Sequence, residues 1–509
     1  MTKSVQDTTE PSLEGRPLEA EDCVVVDKKQ MRRAQIGAGV GNFMEWYDFG
    51  IYGYLAVTIT AVFTHGMDES IGLLVTLAGF AVSFIMRPLG GMILGPLGDK
   101  LGRQKILFLT ISMMAISTAL IGLLPTSHTI GLWALIPLYL LKMIQGFSTG
   151  GEFSGVATYV SEFSPDKKRG WATSFLNSQS MLGFAAGAGT VAITTAVTTS
   201  VWGEDAMLDG GWRIPFLIAI PLGAVVIWFR TRTPETPAFE GEQDVILRIP
   251  DGSLFKRYGL AGIIRNYWPA VLIGCALTAA DSSISYILTS YMPTYLETEV
   301  GVSSTGAAVA TVPVLVVVAI AIPFMARLSD NIGRRPVYGI GIASSLLLMI
   351  PAFAVVHIGT EWSVYLAMFM IAIPATCFLA LTASALPALF PTASRYGDMG
   401  LTHNVALSAF GGTAPFFSQL IMQLTGSPYS PAFYAMFFSL LALLALFFMK
   451  ESAGRPLIGS VPVVETREEA RKLARVQDSD ERIDTSTMPI FAVDQAGRAA
   501  EPGQAGPSA

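Results

Sequence analysis

The sequence predicts an all-α integral membrane protein in which twelve helices form two similar halves of six. Composition supports this class, because 51% of the 509 residues are hydrophobic and only 14% are charged, whereas soluble proteins carry about 25% charged residues. Twelve apolar segments are long enough to cross a bilayer. A loop that occurs twice, each time between two apolar segments, indicates two units of one architecture.

The repeated loop combines an acidic residue, a glycine and basic residues. Its first copy covers residues 95–105 and its second covers residues 326–336. The matched positions are Asp99 with Asp330, Gly102 with Gly333, and Arg103 with Arg334. The loops at 164–170 and 391–397 also match each other, so the repeat extends over both halves.

Each apolar segment approaches or exceeds the roughly 20 residues that a membrane-spanning helix needs. We name them span 1 to span 12; they cover about residues 34–64, 70–97, 106–124, 129–161, 170–198, 212–231, 265–297, 302–328, 336–356, 362–389, 396–425 and 430–449. The predicted domains are a polar tail (1–33), a first half (34–231), a linker (232–264), a second half (265–449) and a mostly disordered tail (450–509). Within this last tail, residues 466–475 could form a short helix.

Positive charge alternates between the loops. Lysine and arginine occur in both tails and in the loops that follow even-numbered spans. The loops that follow odd-numbered spans contain neither residue; they are 64–70, 125–128, 199–211, 297–302, 357–361 and 425–430. Since positive loops remain in the cytoplasm, both termini are predicted to be cytoplasmic. The sequence therefore predicts a multi-pass protein of the plasma membrane.

Several other classes of function find no support in the sequence. The three cysteines, Cys23, Cys275 and Cys377, are scattered, which is typical neither of a disulfide framework nor of a metal site. We see no basic face for nucleic acid and no ATP-binding loop. We therefore expect no metal and no cofactor. The expected partners are a small-molecule substrate, protons and the lipid bilayer, and the sequence leaves the oligomeric state open.

Short motifs show which known proteins the chain resembles. Residues 95–105 and the stretch Lys142-Met143-Ile144-Gln145-Gly146 in span 4 resemble the major facilitator superfamily. Residues 41–49, 87–91 and 146–153 narrow the resemblance to its metabolite:proton symporters. Residues 286–296 and 385–392 are most similar to the proline/glycine betaine osmolyte transporters of that group.

The resemblance implies the major facilitator fold and secondary active transport by alternating access rather than catalysis. The expected reaction is proton symport of a small zwitterionic osmolyte such as proline or glycine betaine. An alternative is proton symport of a carboxylate such as citrate, oxoglutarate or shikimate. That substrate would want basic residues in the cavity, and the second half offers few of them, which favours the zwitterion.

Five charged residues within the spans of the first half are candidates for proton coupling. They are Glu45, Asp48, Arg87, Lys142 and Glu152. An ionised side chain at mid-membrane costs about 2.5–3.5 kcal/mol on insertion scales, so such residues face the interior and pair. Glu45 and Asp48 share one helix face, where two carboxylates cannot both ionise cheaply. One of them is expected to carry the proton, with Arg87 or Lys142 as its switchable partner; the alternative is a static ion pair.

The candidates for substrate binding are aromatic, acidic or amide side chains in the spans. They are Trp46, Tyr47, Glu152, Asn177, Asp281, Tyr286, Tyr291 and Asn404. Aromatic faces hold quaternary ammonium groups, which suits glycine betaine, although ordinary packing explains the same residues. Asp281 could meet a cationic group of the substrate or be a solvated residue near the external face.

The resemblance further implies a cytoplasmic gate in the repeated loops. Its residues would be Asp99, Gly102, Arg103, Asp330, Gly333 and Arg334. Acidic side chains favour helix N-termini and basic ones favour C-termini, so loop charges can meet neighbouring helix ends in one conformer and leave them in another. Topology-setting charge alone would explain the arginines but not the recurring aspartate and glycine.

Overall fold

The computed structural model describes residues 17–26, 28–101, 103–150, 152–231, 260–392, 395–477, 479–480, 482–483 and 488. Span 1 consists of the helices Lys28–Tyr54 and Ala56–Phe63. Span 2 is Glu69–Leu101, span 3 is Arg103–Ile121, span 4 comprises Ser127–Ile130, Leu135–Thr149 and Glu152–Glu162, span 5 is Arg169–Trp202, and span 6 is Arg213–Thr231.

The second half contains two spans that depart from regular α-helix. Span 7 begins as Leu260–Tyr286 and continues through the π-helical turn Ile287–Tyr291, the helix Met292–Tyr295 and a second π-helical turn, Leu296–Val300. Span 8 is Ser304–Ile332, span 9 is Arg334–Val356, span 10 is Glu361–Ala385, span 11 comprises Arg395–Ala406, the π-helical turn Leu407–Gly411 and Ala414–Thr425, and span 12 is Ser430–Phe448. π-Helical turns inside α-helices are frequent at functional sites.

Among the described residues, nine helices are long and apolar enough to cross a membrane. The shorter apolar helices Phe108–Ile121 and Arg213–Trp228 belong to spans 3 and 6. Span 1 is absent from both groups because its first helix carries polar and charged residues, among them Glu45 and Asp48. The helix order agrees with the predicted twelve spans, with boundaries that shift by several residues: span 1 begins at Lys28 and span 2 continues to Leu101.

Local sequence explains where several spans begin and end. The Ser303 side chain accepts a hydrogen bond from the backbone N–H of Gly306 and caps the start of span 8. Thr360 and Ser363 form a capping box at the start of span 10. Spans 8 and 9 are separated only by Gly333, whose φ of +103° is a conformation that side-chain-bearing residues rarely adopt. This tight reversal explains why the second copy of the loop requires a glycine at position 333.

The two halves pack against each other along several spans, most extensively along spans 5 and 8. Spans 2 and 11 meet where the hydroxyl of Ser408 donates to the carbonyl of Phe84 at 2.5 Å. Spans 1 and 7 meet at Gly53, where an added Cβ would lie 3.3 Å from Cβ of Ser290. The halves are therefore in contact through three pairs of spans, 5 with 8, 2 with 11 and 1 with 7.

Glycines also allow spans 2 and 4 to approach each other closely. A Cβ added to Gly146 would lie 1.6 Å from the carbonyl oxygen of Ser83, and one added to Gly150 would lie 1.9 Å from that of Arg87. Any side chain at either position would clash with the neighbouring backbone. These glycines consequently hold Lys142 and Gln145 of span 4 close to Arg87 of span 2.

Parts of both tails are ordered on the side of the positively charged loops, which we call cytoplasmic from the charge pattern. The strands β1 (Val24–Val25) and β2 (Val463–Val464) pair in parallel, and the helix Arg467–Val476 follows β2. The sequence foresees only the helix in a tail that it predicts to be mostly disordered. Residues 450–477 form this structure, whereas residues 484–487 and 489–509 lie outside the described part.

Candidate transport site

The centre of the first half contains a buried ion pair. Nη2 of Arg87 in span 2 lies 2.7 Å from Oε1 of Glu45 in span 1, and each side chain is 1% exposed. Removing two such charges from water is costly and is offset only by close pairing and further favourable contacts. The sequence names both residues as candidates, and the structure brings them together.

Aromatic rings surround the Arg87 guanidinium. Its central carbon lies 4.5 Å from the ring centre of Phe84, 4.7 Å from that of Phe49 and 5.2 Å from that of Trp46. Tyr286 of span 7 completes the group from the second half, with its ring centre 5.1 Å from that of Phe84 and 5.9 Å from that of Trp46. Rings attract a cation through their faces, so Arg87 has two kinds of stabilising contact, one carboxylate and several aromatic rings.

The second predicted carboxylate has separate partners. Oγ1 of Thr118 in span 3 donates to Oδ2 of Asp48 at 2.9 Å, and Nε2 of Gln145 donates to Oγ1 of Thr118 at 2.6 Å. Lys142 is fully buried, with its Nζ atom 4.2 Å from the ring centre of Tyr52. Among the described residues, Nζ of Lys142 and Oδ1 of Asp48 have no hydrogen-bond partner, although the two groups interact electrostatically.

Asp281 is buried rather than solvated. It is 6% exposed and lies in span 7, five positions before Tyr286. Its Oδ2 accepts a hydrogen bond from Oγ1 of Thr382 at 2.5 Å, and its Oδ1 accepts one from Ser285 at 3.4 Å. Of the two sequence-based alternatives, the solvated external position is therefore wrong, and a buried carboxylate faces the interior of the second half.

The other predicted binding residues form hydrogen bonds within one half or across the contact between halves. Tyr47 donates to the carbonyl of Pro215 at 3.4 Å, and Tyr291 donates to Oε1 of Gln419 at 2.7 Å. Each hydroxyl is therefore already hydrogen-bonded to a residue of its own half. Asn177 and Asn404 donate across the interface between halves, to the carbonyls of Leu379 at 2.6 Å and Gly150 at 2.7 Å. Glu152 begins the last helix of span 4, and its side chain lies outside the described part.

One copy of the predicted gate is described in atomic detail. The carboxylate of Asp330 accepts hydrogen bonds from the backbone N–H groups of Gly170 at 2.9 Å and Trp171 at 2.8 Å. It thus caps the first turn of span 5 in the other half, where negative charge is favoured. Arg334 is buried and donates to the carbonyl of Ser384 at 3.0 Å. In the first copy, Gly102 and the side chains of Asp99 and Arg103 lie outside the described residues.

Sequence reasoning missed several residues of the site. Phe49, Phe84, Thr118 and Gln145 are ordinary residues for a membrane helix, so only tertiary packing shows their role beside Arg87 and Asp48. Gln145 and Phe49 carried a signal in the sequence, because Gln145 belongs to the span 4 motif and Phe49 ends the motif of residues 41–49. The cross-half ion pair between Arg395 and Glu162, at 2.6 Å, was also missed.

Membrane-spanning helices in two similar halves, with buried charges near the contact between them, form the architecture of secondary transporters. The family described as "Sugar (and other) transporter" matches residues 34–246 and 254–461. The chain belongs to this family and hence to the major facilitator superfamily, which confirms the predicted resemblance and fold class. It is a multi-pass plasma-membrane transporter and not an enzyme.

Curated relatives are similar to the chain over almost its whole length. The ectoine/proline transporter ProP of Corynebacterium glutamicum is 55% identical over 476 residues, which cover 93% of this chain and 94% of that protein. The proline/betaine transporter of Escherichia coli (strain K12) is 38% identical over 463 residues, which cover 90% and 91%. The proton:xylose symporter XylE shares the fold, with a TM-score of 0.66 at 18% identity over 87% of this chain and 99% of that chain.

Proposed function

We propose that this chain is a proton symporter that carries a small zwitterionic osmolyte, of the proline, ectoine or betaine type, by alternating access. The observation that carries the proposal is the Arg87–Glu45 ion pair of the first half. Aromatic rings surround this pair, and one ring of that group, Tyr286, comes from the second half. The names of the relatives support the substrate class. The driving force would be the proton gradient, with no cofactor.

Exchange of partners on Arg87 would couple the proton to the substrate. When Glu45 is ionised, its carboxylate pairs with the guanidinium of Arg87, with Oε1 of Glu45 2.7 Å from Nη2 of Arg87. When Glu45 binds a proton, the buried guanidinium loses its counter-charge, and an unpaired charge in this environment is costly. The carboxylate of a zwitterion can then replace Glu45 on Arg87. Proton and substrate would therefore bind cooperatively, as symport requires.

The second carboxylate would serve as a further station for the proton. Asp48 and Lys142 are both buried and oppositely charged, and no direct hydrogen bond between them satisfies their charges. A proton could therefore reside on either group at modest cost compared with an isolated buried charge. Thr118 and Gln145 hold the carboxylate of Asp48 in position through the hydrogen-bonded chain described above.

The cationic end of the substrate would face the second half. Asp281 and Tyr286 lie on the same stretch of span 7, and among the described residues the Tyr286 hydroxyl has no hydrogen-bond partner. A zwitterion between Arg87 and Asp281 would contact both halves, which links its binding to their relative movement. A dicarboxylate would want further cations, but the arginines of the second half lie at the cytoplasmic ends of its spans. This charge distribution favours the zwitterion.

Release to the cytoplasm would require the halves to separate at the Asp330 cap. Its two hydrogen bonds join span 8 to the start of span 5, and the Arg395–Glu162 pair joins the same two halves nearby. Both contacts would break together when the cytoplasmic side opens and re-form when it closes.

Uptake into proteoliposomes tests the proposal. Labelled proline, ectoine, glycine betaine and citrate are offered with and without an inward proton gradient. We expect gradient-driven accumulation of the zwitterions but not of citrate, and loss of accumulation in Asp48→Asn with exchange preserved. Glu361→Gln, an exposed residue at the start of span 10, is the matched control and should behave as wild type. Accumulation of citrate alone, or accumulation without a gradient, would refute the proposal.

A further inference from the structure

The two tails of the chain meet on the cytoplasmic side. The backbone N–H of Val24 donates to the carbonyl of Pro462 at 3.0 Å, and that of Val26 donates to the carbonyl of Val464 at 2.9 Å. Beside this parallel pair lies a small apolar core formed by Leu18, Cys23, Val464, Ala470 and Met488. Burial, reinforced by nearby acidic residues, raises the pKa of the Cys23 thiol to about 11, so it remains a neutral core residue. The N-terminal tail continues into span 1 and the C-terminal tail follows span 12, so the pairing joins the two halves.

The joined tails dock on the loop between spans 4 and 5 of the first half. The carboxylate of Asp166 accepts a hydrogen bond from the backbone N–H of Val463 at 3.0 Å. Lys167 pairs with Glu469 at 2.8 Å, and Lys168 pairs with Glu465 at 2.7 Å. Strand β2 and the helix that follows it are therefore held by one hydrogen bond and two ion pairs on the first half.

The same tail is fastened to the second half. The carbonyl of Ile458 accepts hydrogen bonds from Arg395 at 2.8 Å and from the backbone N–H of Thr392 at 3.0 Å. Closer to span 12, Glu451 accepts from the backbone N–H groups of Arg334 at 2.9 Å and Arg335 at 3.0 Å. The segment 450–469 thus contacts the cytoplasmic ends of both halves.

We propose that the paired tails form a clasp that holds the cytoplasmic ends of the two halves together and stabilises conformers closed toward the cytoplasm. We call residues 17–26 together with residues 450–477 the tail clasp. Cytoplasmic opening moves the loop between spans 4 and 5 away from the loop between spans 10 and 11. The clasp contacts with both loops cannot all persist during that movement, so they stabilise the conformer that is closed toward the cytoplasm. None of them lies on the external side.

A charge swap with two accessibility reporters tests the clasp. In full-length protein, Cys275 and Cys377 are replaced by alanine, whereas Cys23 is retained because it belongs to the clasp core, and its own labelling is measured in each variant without a reporter and subtracted. Met399→Cys reports cytoplasmic opening, because Met399 is buried against Thr158 of the other half. Ser290→Cys, buried opposite Gly53, reports external opening. The rate of maleimide labelling is measured for each reporter in membrane vesicles of known orientation, without substrate.

We expect Lys167→Glu to raise the labelling rate of the cytoplasmic reporter on the order of fivefold and to lower that of the external reporter, since the two states exchange population. The double variant Lys167→Glu/Glu469→Lys should restore both rates. Val463→Pro removes the backbone N–H that donates a hydrogen bond to Asp166. It should change the labelling rates of both reporters in the same directions as Lys167→Glu. The matched control is Lys472→Glu on the exposed face of the same helix.

Unchanged labelling in both clasp variants would overturn the proposal. So would a rise at both reporters together, because that result indicates a loosened fold rather than a shifted equilibrium. Since the assay uses no substrate and no proton gradient, its outcome is independent of which molecule the protein carries.

Discussion

The substitution Glu45→Gln separates the proposed role of the Arg87–Glu45 pair from a purely structural one. Glutamine has nearly the shape of protonated glutamate and cannot ionise, so it resembles the proton-loaded site. If Arg87 then accepts the carboxylate of the substrate, the variant should bind substrate at least as tightly as wild type, with an affinity that depends less on pH because only Asp48 can still take up the proton. Accumulation against a gradient should be lost, because residue 45 no longer competes with the substrate for Arg87 in a proton-dependent way.

The structure also sets the size of the effect on stability. Both side chains are 1% exposed and 2.7 Å apart, and breaking such a buried pair by removing one partner costs about 3–5 kcal/mol. The aromatic rings contact the guanidinium whether or not residue 45 is charged, so their cation–π attraction does not alter this figure for Glu45→Gln. We therefore expect a destabilisation of about 3–5 kcal/mol for Glu45→Gln, of similar size for Arg87→Gln, and clearly less than their sum for the double variant.

The assays are denaturant unfolding of the purified protein in detergent, substrate binding across a pH series and gradient-driven uptake in proteoliposomes. Glu361→Gln serves again as the matched control. The reasoning fails if Glu45→Gln accumulates substrate as wild type does, or if its affinity for substrate falls as far as that of Arg87→Gln. Additive destabilisation by the two single substitutions would show that the pair does not couple energetically.

Three further outcomes follow from particular contacts. Thr118→Val removes the hydrogen bond to Asp48, which is worth about 1.5–3 kcal/mol for a charged acceptor, so proton-driven uptake should fall on the order of tenfold or more. Thr118→Ser keeps the hydroxyl and should keep the wild-type uptake rate. Equal uptake rates in the two variants would contradict this reasoning. Gly412→Ala places a Cβ 2.1 Å from the Phe84 side chain, an overpacking cost of about 1–3 kcal/mol in the conformer in which spans 2 and 11 are in contact. This variant should therefore raise the labelling rate of the Met399→Cys reporter. Gly339→Ala, whose added Cβ would have its nearest neighbour 3.9 Å away, should leave that rate unchanged. Partial burial opposes ionisation of Glu451, but four backbone N–H donors hold its pKa below the usual value. The ionised carboxylate therefore stabilises the protein at neutral pH, and this contribution is lost as pH falls through that lowered pKa. Thermal unfolding should show a difference in stability between wild type and Glu451→Gln at pH 7 that shrinks as the pH is lowered through the acid range, and a constant difference would exclude the mechanism.

The sequence by itself determined the class of protein and its general organisation. Long apolar segments can avoid exposing backbone polar groups to lipid only as helices, so twelve segments imply twelve helices before any packing is known. Repetition of Asp99, Gly102 and Arg103 as Asp330, Gly333 and Arg334 implied two halves, because one loop geometry was needed twice. The cost of burying charge in a membrane was sufficient to select Glu45, Asp48, Arg87 and Lys142 as candidates.

Only the tertiary structure decided how those charges are paired and what surrounds them. Glu45 and Asp48 are three residues apart on one helix, yet the first contacts Arg87 of span 2 and the second contacts Thr118 of span 3. Helical spacing gives the face of a residue but not which neighbouring helix it meets. The tail clasp depends on the same kind of information, since Val24 and Val463 come together only because the twelve helices between them fold back to one side. Short polar tails carry little local signal, and their order arises from contacts with distant loops.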